Sequence, residues 1–271
     1  MRQLRATNFI RAVVLQRELW QRLCEREVIG RYRGSVLGWG WSLLNPLLML
    51  SVYTFVFSVV FQSRWGNAAN GDNALFAINL FAGLIAFNFF GECVIRATGV
   101  VVNNANYVKR VIFPLEILAP VAVGAALFHA LTSLVILGIV EVISGHGIPL
   151  TMVLIPLVWL PLLLGCLAIS WALGALGVYL RDLGQLAGVG VNVLMFMSAV
   201  FYPLQSLPER WQPWLAMNPL VHVIEETRQV CVNNKLPNSS YVVIGTLGSL
   251  IGCELAFRLF QRMRRGFADV L

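Results

Sequence analysis

The sequence predicts an all-α, polytopic integral membrane protein with six transmembrane helices, and three observations support this fold class. Of the 271 residues, 58% are hydrophobic and only 12% are charged, whereas a soluble domain carries roughly 25% charged residues. Six runs without Asp, Glu, Lys or Arg approach or exceed the roughly 20 residues that cross a bilayer. These runs are apolar on all sides and lack the period-two alternation of membrane-spanning β-strands.

The six runs place the transmembrane helices in order along one domain that covers residues 1–271. A turn at Gly145-His146-Gly147, followed by Pro149, separates the third helix from the fourth. We expect spans at 37–62, 74–98, 113–143, 150–180, 185–203 and 238–258. The flanking parts are a cytoplasmic interface segment (1–33), an outer segment (204–237) and a cytoplasmic tail (259–271), with the six spans contained in 34–258.

The distribution of basic residues predicts the orientation. With the N-terminus inside, 16 of the 20 Lys and Arg residues fall in cytoplasmic segments, as the positive-inside rule requires. We therefore expect a multi-pass protein of the bacterial inner membrane with both termini in the cytoplasm. The net charge of +7 is explained by this orientation, so nucleic acid is not an expected partner.

Two segments outside the spans are predicted to lie at the membrane surface. Residues 9–27 place their apolar side chains on one helical face and their charged ones on the other, which is typical of an interfacial helix. The apolar face comprises Phe9, Ala12, Val13, Leu19, Trp20, Leu23 and Cys24. This helix is either an anchor or a docking surface. The outer segment, broken by Pro208, Pro213 and Pro219, predicts short re-entrant or interfacial helices in which Trp211 and Trp214 form an interfacial belt or an exit gate.

Several classes of enzyme are excluded by motif. The P-loop motif needs a lysine after glycine, but the two lysines, Lys109 and Lys235, follow Val108 and Asn234. The H-E-x-x-H and G-x-S-x-G motifs are absent, and the five cysteines never form C-x-x-C. We therefore expect neither enzymatic activity, nor a metal site, nor a cofactor bound by this chain.

Polar and aromatic residues within the predicted spans are candidates for the transport path. Glu92 and Arg96 are four residues apart, so they are expected to pair on one helix face near the inner mouth. Tyr53, Phe57 and Phe61 share a face of the first span, and Phe87, Phe89 and Phe90 cluster on the second. Aromatic faces suit sugar rings. These residues line a channel or simply pack the helices.

Four stretches, taken together, run from one end of the chain to the other. They are REVIGRYRGSVLGWGWSLLNPLLMLSVYTFVF (26–57), NANYVKRVIFPLEILAP (104–120), YLRDLGQL (179–186) followed by FYPLQSLPERWQPWLAMNPL (201–220), and RMRRGFADVL (262–271). They resemble, in the same order, the membrane permeases of ABC-2 type polysaccharide exporters, which move O-antigen, capsule or teichoic acid chains. Tyr107-Val108 departs from the family's frequent Leu-Ile pair but is also apolar.

The resemblance implies a homodimer that works with two copies of a separate nucleotide-binding subunit, which binds ATP and Mg²⁺. By the same resemblance, the contacts that couple this chain to the ATPase correspond to two cytoplasmic loops, with Asn104, Tyr107, Lys109 and Arg110 in the first and Arg181 and Asp182 in the second. The alternatives are a positive-inside anchor for Lys109 and Arg110 and a local ion pair for Arg181 and Asp182.

The expected function is therefore the channel of an ATP-driven exporter of lipid-linked polysaccharide. Arg31 and Arg33 are candidates for attracting the substrate's diphosphate at the inner face, although they also serve as positive-inside anchors. Two alternatives remain: an ABC-2 permease for a drug or small lipid, and a secondary transporter or channel that works alone.

Overall fold

The computed structural model describes residues 9–56, 73–108 and 113–271, and every regular element in these ranges is helical. Short 3-10 turns at Val102–Asn104, Leu115–Ile117 and Leu150–Leu154 precede helices. The α-helices are α1 (Phe9–Leu15), α2 (Arg17–Tyr32), α3 (Gly40–Thr54), α4 (Asn73–Gly99), α5 (Ala105–Val108), α6 (Leu118–Ile143), α7 (Ile155–Tyr179), α8 (Leu183–Met197), α9 (Gln212–Ala216), α10 (Pro219–Cys231), α11 (Ser239–Met263) and α12 (Phe267–Val270).

Four stretches of the described residues are long and apolar enough to cross a membrane. They are Ala74–Gly99, Leu115–Ile143, Leu150–Tyr179 and Ser239–Val270. These stretches match the predicted second, third, fourth and sixth spans, except that α11 continues past the predicted end at residue 258 to Met263. The all-helical, polytopic character predicted from the sequence is therefore confirmed for the part of the chain that the structure describes.

The predicted first and fifth spans are incomplete by this measure. The first begins as α3 at Gly40, and its predicted last part, 57–62, lies outside the described residues. The fifth is the 15-residue helix α8, which ends at Met197 and not at the predicted residue 203. Ala199 has φ +53°, a left-handed conformation that a continuing right-handed helix does not contain. At 1.5 Å per residue, α8 is about 22 Å long, shorter than the roughly 30 Å hydrocarbon core.

Helix α4 lies at the centre of the bundle, in contact with α3, α6, α7, α8 and α10, while α11 packs on α7. Small residues allow α4 and α7 to approach closely near the end predicted to be cytoplasmic. A Cβ atom on Gly177 would lie 1.9 Å from the backbone oxygen of Thr98, and one on Gly174 would lie 2.9 Å from Val100. At this end the backbones of the two helices are therefore in direct contact.

The predicted interfacial helix is two helices, α1 and α2, which meet near Gln16. Leu23 packs with Ile117 and Val121, partly buried Leu19 and Trp20 join them, and the Trp20 indole donates a hydrogen bond to the Pro120 carbonyl at 2.9 Å. The apolar face of α2 thus covers the start of α6. The side chains of Ala12 and Val13, assigned to the same face, lie outside the described ones.

The outer segment forms two short helices after the turn at Ala199. Pro213 and Pro219 lie in the first turns of α9 and α10. The backbone N–H that proline lacks would have no partner within the helix at these positions. α9 exposes Trp214, whereas α10 buries Leu220, Val221, Val223 and Ile224 against the bundle. The predicted helices are present in this segment, and their depth in a membrane stays a prediction.

Candidate functional site

A cleft of about 940 Å³ lies between α3, α4 and α6, with the end of α2 at one side. One part of its wall is charged and the other aromatic. The charged part contains Arg31, Tyr32, Glu92, Arg96 and His129. The aromatic lining residues are Trp41, Tyr53, Phe81, Phe87 and Phe89, and Asn45 and Asn88 also line the cleft. Such a lining can bind a molecule that has both a charged group and flat apolar faces.

Glu92 is the centre of the charged part. Its Oε1 atom accepts a hydrogen bond from Arg31 Nη1 at 2.5 Å and lies 2.9 Å from Arg96 Nη2. The pairing of Glu92 with Arg96 on one helix face is as predicted. The bond from Arg31 could not be predicted from spacing, because α2 and α4 meet only in the fold. Arg96 also donates to Glu27 at 3.3 Å, so two arginines and two glutamates balance one another.

His129 on α6 completes this cluster and was not predicted. Its Nδ1 atom lies 3.0 Å from the Tyr32 hydroxyl, and its Nε2 atom lies 3.9 Å from Glu92 Oε1. Partial burial raises the pKa of the Tyr32 phenol, so this hydroxyl is protonated at neutral pH and can donate to Nδ1. Nε2 then carries the ring hydrogen and directs it toward the carboxylate. At 3.9 Å no hydrogen bond forms, and among the described residues Nε2 has no other partner.

Only some of the predicted channel residues line the cleft. Tyr53 and Phe87 line the cleft, and Phe89 does so as well. Phe90 lies beside Phe87, with ring centroids 6.3 Å apart, and does not line the cleft. All three rings belong to the buried core, with Phe87 and Phe89 2% exposed and Phe90 8% exposed. Phe57 and Phe61 lie outside the described residues. Arg33, proposed from the sequence beside Arg31, is exposed at the end of α2 and stands outside the cleft lining.

The first predicted coupling loop is held by α2. The Tyr107 ring stacks on Phe113 with centroids 4.2 Å apart, and Arg26 Nη1 donates to the Tyr107 hydroxyl at 2.8 Å. The Asn104 amide caps the preceding turn through the Val100 carbonyl at 2.9 Å. Lys109 and Arg110 lie outside the described residues. The interfacial helix α2 is thus in direct contact with this loop.

The second predicted coupling loop leaves the bundle beside the first. Gly177 and Gly184, on either side of it, both lie against Thr98 at the end of α4. Arg181 and Asp182 are exposed, and neither enters an ion pair with any described residue. The local ion pair considered from the sequence is therefore absent from this part of the structure, which leaves both side chains accessible.

The C-terminal segment joins both loops, a connection that the sequence did not reveal. Arg264 binds the buried Glu116 carboxylate at 2.5 Å and donates to the Phe113 carbonyl at 3.2 Å. Tyr179, just before the second loop, donates to the Met263 carbonyl at 3.0 Å. Phe267 is fully buried and contacts Tyr179 and Phe260. Glu116 belongs to the stretch 104–120, which resembles the exporter permeases, but its partner Arg264 lies 148 residues away in the sequence.

At the opposite end, the predicted gate residues are on the surface. Trp211 is 50% and Trp214 70% exposed, and the Arg210 guanidinium lies over the Trp211 ring at 5.5 Å. Arg228, counted from the sequence as an outer-loop charge, is instead buried. Its guanidinium donates to the carbonyls of Asn79, Ala199 and Val200 at 3.1, 3.0 and 2.5 Å.

Comparison with known proteins extends over nearly the whole chain. The family described as ABC-2 type transporter matches residues 18–231. An O-antigen export system permease protein, RfbA, from Myxococcus xanthus is 28% identical over 263 residues, which are 94% of this chain and 98% of that protein. RfbA from Klebsiella pneumoniae is 24% identical over 242 residues, 89% and 90% of the two chains. The polysialic acid transport protein KpsM from Escherichia coli is 24% identical over 236 residues, 85% and 89%.

Proposed function

This chain belongs to the ABC-2 type transporter family, and from that premise we propose that it is the membrane subunit of an ATP-driven exporter of lipid-linked surface polysaccharide. The observation that carries the proposal is the near end-to-end similarity to permeases named for O-antigen export and polysialic acid transport. The protein resides in the inner membrane and is not itself the enzyme that supplies energy.

The cleft supports a carbohydrate substrate. Trp41, which is 40% exposed, and partly exposed Tyr53 present aromatic surface to the cleft, and Asn45 and Asn88 also line it with their amide groups. Pyranose rings combine an apolar C–H face with hydroxyl groups at the edge, so a wall of this composition can stack one and hydrogen-bond the other. In this proposal the channel walls contain Tyr53, Phe57, Phe61, Phe87 and Phe90. Phe90 contributes by packing against the ring of Phe87.

Energy comes from two copies of a separate nucleotide-binding subunit that holds ATP and Mg²⁺. This subunit docks on the first loop through Asn104, Tyr107, Lys109 and Arg110 and on the second through Arg181 and Asp182. Support comes from the accessibility of the second loop and from the contact between the first loop and α2. Movement of the partner would therefore shift α2 together with the inner end of the bundle.

The complete channel is a homodimer with six spans in each chain and both termini in the cytoplasm. The substrate enters near Arg31 and Arg33 and leaves near Trp211 and Trp214. The large exposed apolar side chains of α3, α8 and α11 support contact with lipid or a second copy. The basic residues at the inner end support this orientation.

The test is deletion of the gene in its host, with surface polysaccharide followed on gels and lipid-linked polymer assayed inside the cell. Loss at the surface together with intracellular accumulation, both reversed by a plasmid copy, is the expected result. Unchanged surface polysaccharide in a host without a second exporter would refute the polysaccharide assignment. Stimulation of a copurifying ATPase would separate this transporter from one that works alone.

A further inference from the structure

Three hydrogen-bond donors from three different helices converge on one carboxylate oxygen at the charged end of the cleft. Arg31 from α2, Arg96 from α4 and His129 from α6 lie 2.5, 2.9 and 3.9 Å from Glu92 Oε1. The first two are charged donors, and the third, which is a donor when Tyr32 donates to Nδ1, has no hydrogen-bond partner among the described residues. One carboxylate oxygen is too small to satisfy all three, so the site has donor capacity that Glu92 leaves unused.

We propose that Arg31, Arg96 and His129 form a binding site for the phosphate oxygens of a lipid diphosphate, and that Glu92 occupies this site when no substrate is bound. This inference rests on the proposed function for the choice of a lipid-linked substrate. It extends that function by naming the residues that hold the lipid's head group and the internal group that competes with it.

The chemistry of a diphosphate fits the three donors better than the carboxylate does. Guanidinium groups bind phosphate through two parallel hydrogen bonds, and the tetrahedral phosphate offers oxygens in several directions at once. A phosphate oxygen in place of Glu92 Oε1 can move toward His129 Nε2 without leaving the arginines. The greater negative charge of the diphosphate also strengthens both contacts.

Glu92 can leave this position without a large cost. Its side chain is 21% exposed on the cleft wall, so the displaced carboxylate remains in contact with water and does not become a buried, unpaired charge. Arg96 keeps Glu27 as a second partner at 3.3 Å. The exchange therefore keeps both arginines neutralised in the resting and the occupied state.

The surroundings suit a lipid-linked molecule. The charged cluster and the aromatic residues line one cleft, so a sugar next to the diphosphate can reach the exposed Trp41 and the partly exposed Tyr53. Helix α3, which forms an edge of the cleft, exposes Leu43, Leu44, Leu47 and Leu48. A polyprenyl chain can follow this apolar edge while its head group lies in the cleft.

The test measures binding of farnesyl diphosphate, a short polyprenyl diphosphate, to the full chain in lipid nanodiscs. Glu92→Gln keeps the shape but removes the competing charge, so we expect binding about tenfold tighter than in the wild type. Arg31→Gln and Arg96→Gln should weaken binding about tenfold or more. Glu254→Gln, which breaks the Glu254–Arg258 pair on α11 outside the cleft, should leave the affinity unchanged.

The expected affinity changes have opposite signs, tighter binding for Glu92→Gln and weaker binding for the arginine variants. This difference distinguishes a binding site from a structural contact. If the cluster only fastens α2 to α4, Glu92→Gln will bind no tighter than the wild type, and the proposal is wrong. Arg31→Lys covers the case in which Arg31→Gln fails to fold. It keeps the charge but loses the paired geometry, so its affinity should lie below that of the wild type, and an unchanged affinity contradicts the proposal.

Competition experiments identify the source of the phosphate. Inorganic diphosphate should displace the probe in wild type and more effectively in Glu92→Gln, whereas added phosphatidylglycerol should not compete with it. Equal competition by phosphatidylglycerol would show a general anionic-lipid contact and overturn the proposal. The deletion phenotype is independent of this result. If deletion abolishes export but the protein does not bind the diphosphate, the site is refuted and the function stands. If the protein binds the diphosphate but deletion leaves export unchanged, the function is refuted and the site stands.

Discussion

At the scale of single residues, Arg228 shows how a charge can be part of the hydrophobic core. It is 1% exposed, and burial lowers its pKa to about 10, so it is still charged at neutral pH. Its three carbonyl acceptors come from α4 and from the turn that ends α8. Gly83 makes room for it, because a Cβ atom there would lie 2.7 Å from the guanidinium. The side chain thereby fixes the end of α8 against α4.

Replacement of Arg228 by lysine should destabilise the protein although the charge is kept. An ammonium group lacks the planar fork that reaches three carbonyls at once, and buried polar groups left without partners are costly. We expect the melting temperature in detergent to fall by about 5 °C or more. Arg210→Lys, on the surface, is the control. Equal melting temperatures would show that the hydrogen bonds of Arg228 do not hold α8.

At the scale of the helices, the contact between α4 and α7 depends on the absence of a side chain at Gly177. The nearest atom to an added Cβ is the backbone oxygen of Thr98 at 1.9 Å, which cannot move without displacing α4. We expect Gly177→Ala to lower folding yield and melting temperature, with a cost of about 1–3 kcal/mol or more from overpacking.

Gly248→Ala on α11 is the matched comparison. Nothing lies within 4 Å of a Cβ atom there, and alanine is a better helix former than glycine by about 1 kcal/mol. This variant should therefore be as stable as the wild type or more so. If Gly177→Ala and Gly248→Ala have the same melting temperature, Gly177 is not required for the close approach of α4 and α7.

The C-terminal segment connects helices that are far apart in sequence, and its contacts predict a role in coupling. Arg264 reaches Glu116 and the Phe113 carbonyl, and Phe113 stacks on Tyr107 of the proposed docking loop. We expect Arg264→Met to reduce export more strongly than it reduces copurification of the ATPase subunit. Arg265→Met, at an exposed neighbouring position, is the control. Equal export by the two variants would exclude this role for the Arg264–Glu116 pair.

At the scale of the whole molecule, orientation can be tested directly because the native cysteines are largely inaccessible. Cys93, Cys166, Cys231 and Cys253 are fully buried. In intact spheroplasts, a membrane-impermeant maleimide should label Ser206→Cys, on the predicted outer side, and should label Arg181→Cys only after lysis. Both positions are exposed in the structure. Labelling of Arg181→Cys before lysis would reverse the predicted orientation, and the native sequence provides the background.

The long apolar helices were predictable because a bilayer selects for length and composition alone, and both are properties of the linear sequence. The end of α8 could not be predicted, because no proline or glycine stands at Ala199, where the backbone becomes left-handed. Within the site, spacing along one helix predicted Glu92–Arg96. The partners Arg31 and His129, and likewise Arg264 for Glu116, come from other helices, so only the fold brings them together. For the same reason a count of charges could not show that Arg228 is buried.

If α8 is the predicted fifth span, its short length links this protein to the composition of its membrane. A helix about 22 Å long leaves polar ends within the hydrocarbon layer unless the bilayer thins or another protein surface covers it. Each ångström of mismatch costs a fraction of a kcal/mol, so lipids with shorter acyl chains favour α8 in its described form. In proteoliposomes, we therefore expect the rate of export to rise as acyl chains shorten, and fatty-acid composition would then control the delivery of surface polysaccharide.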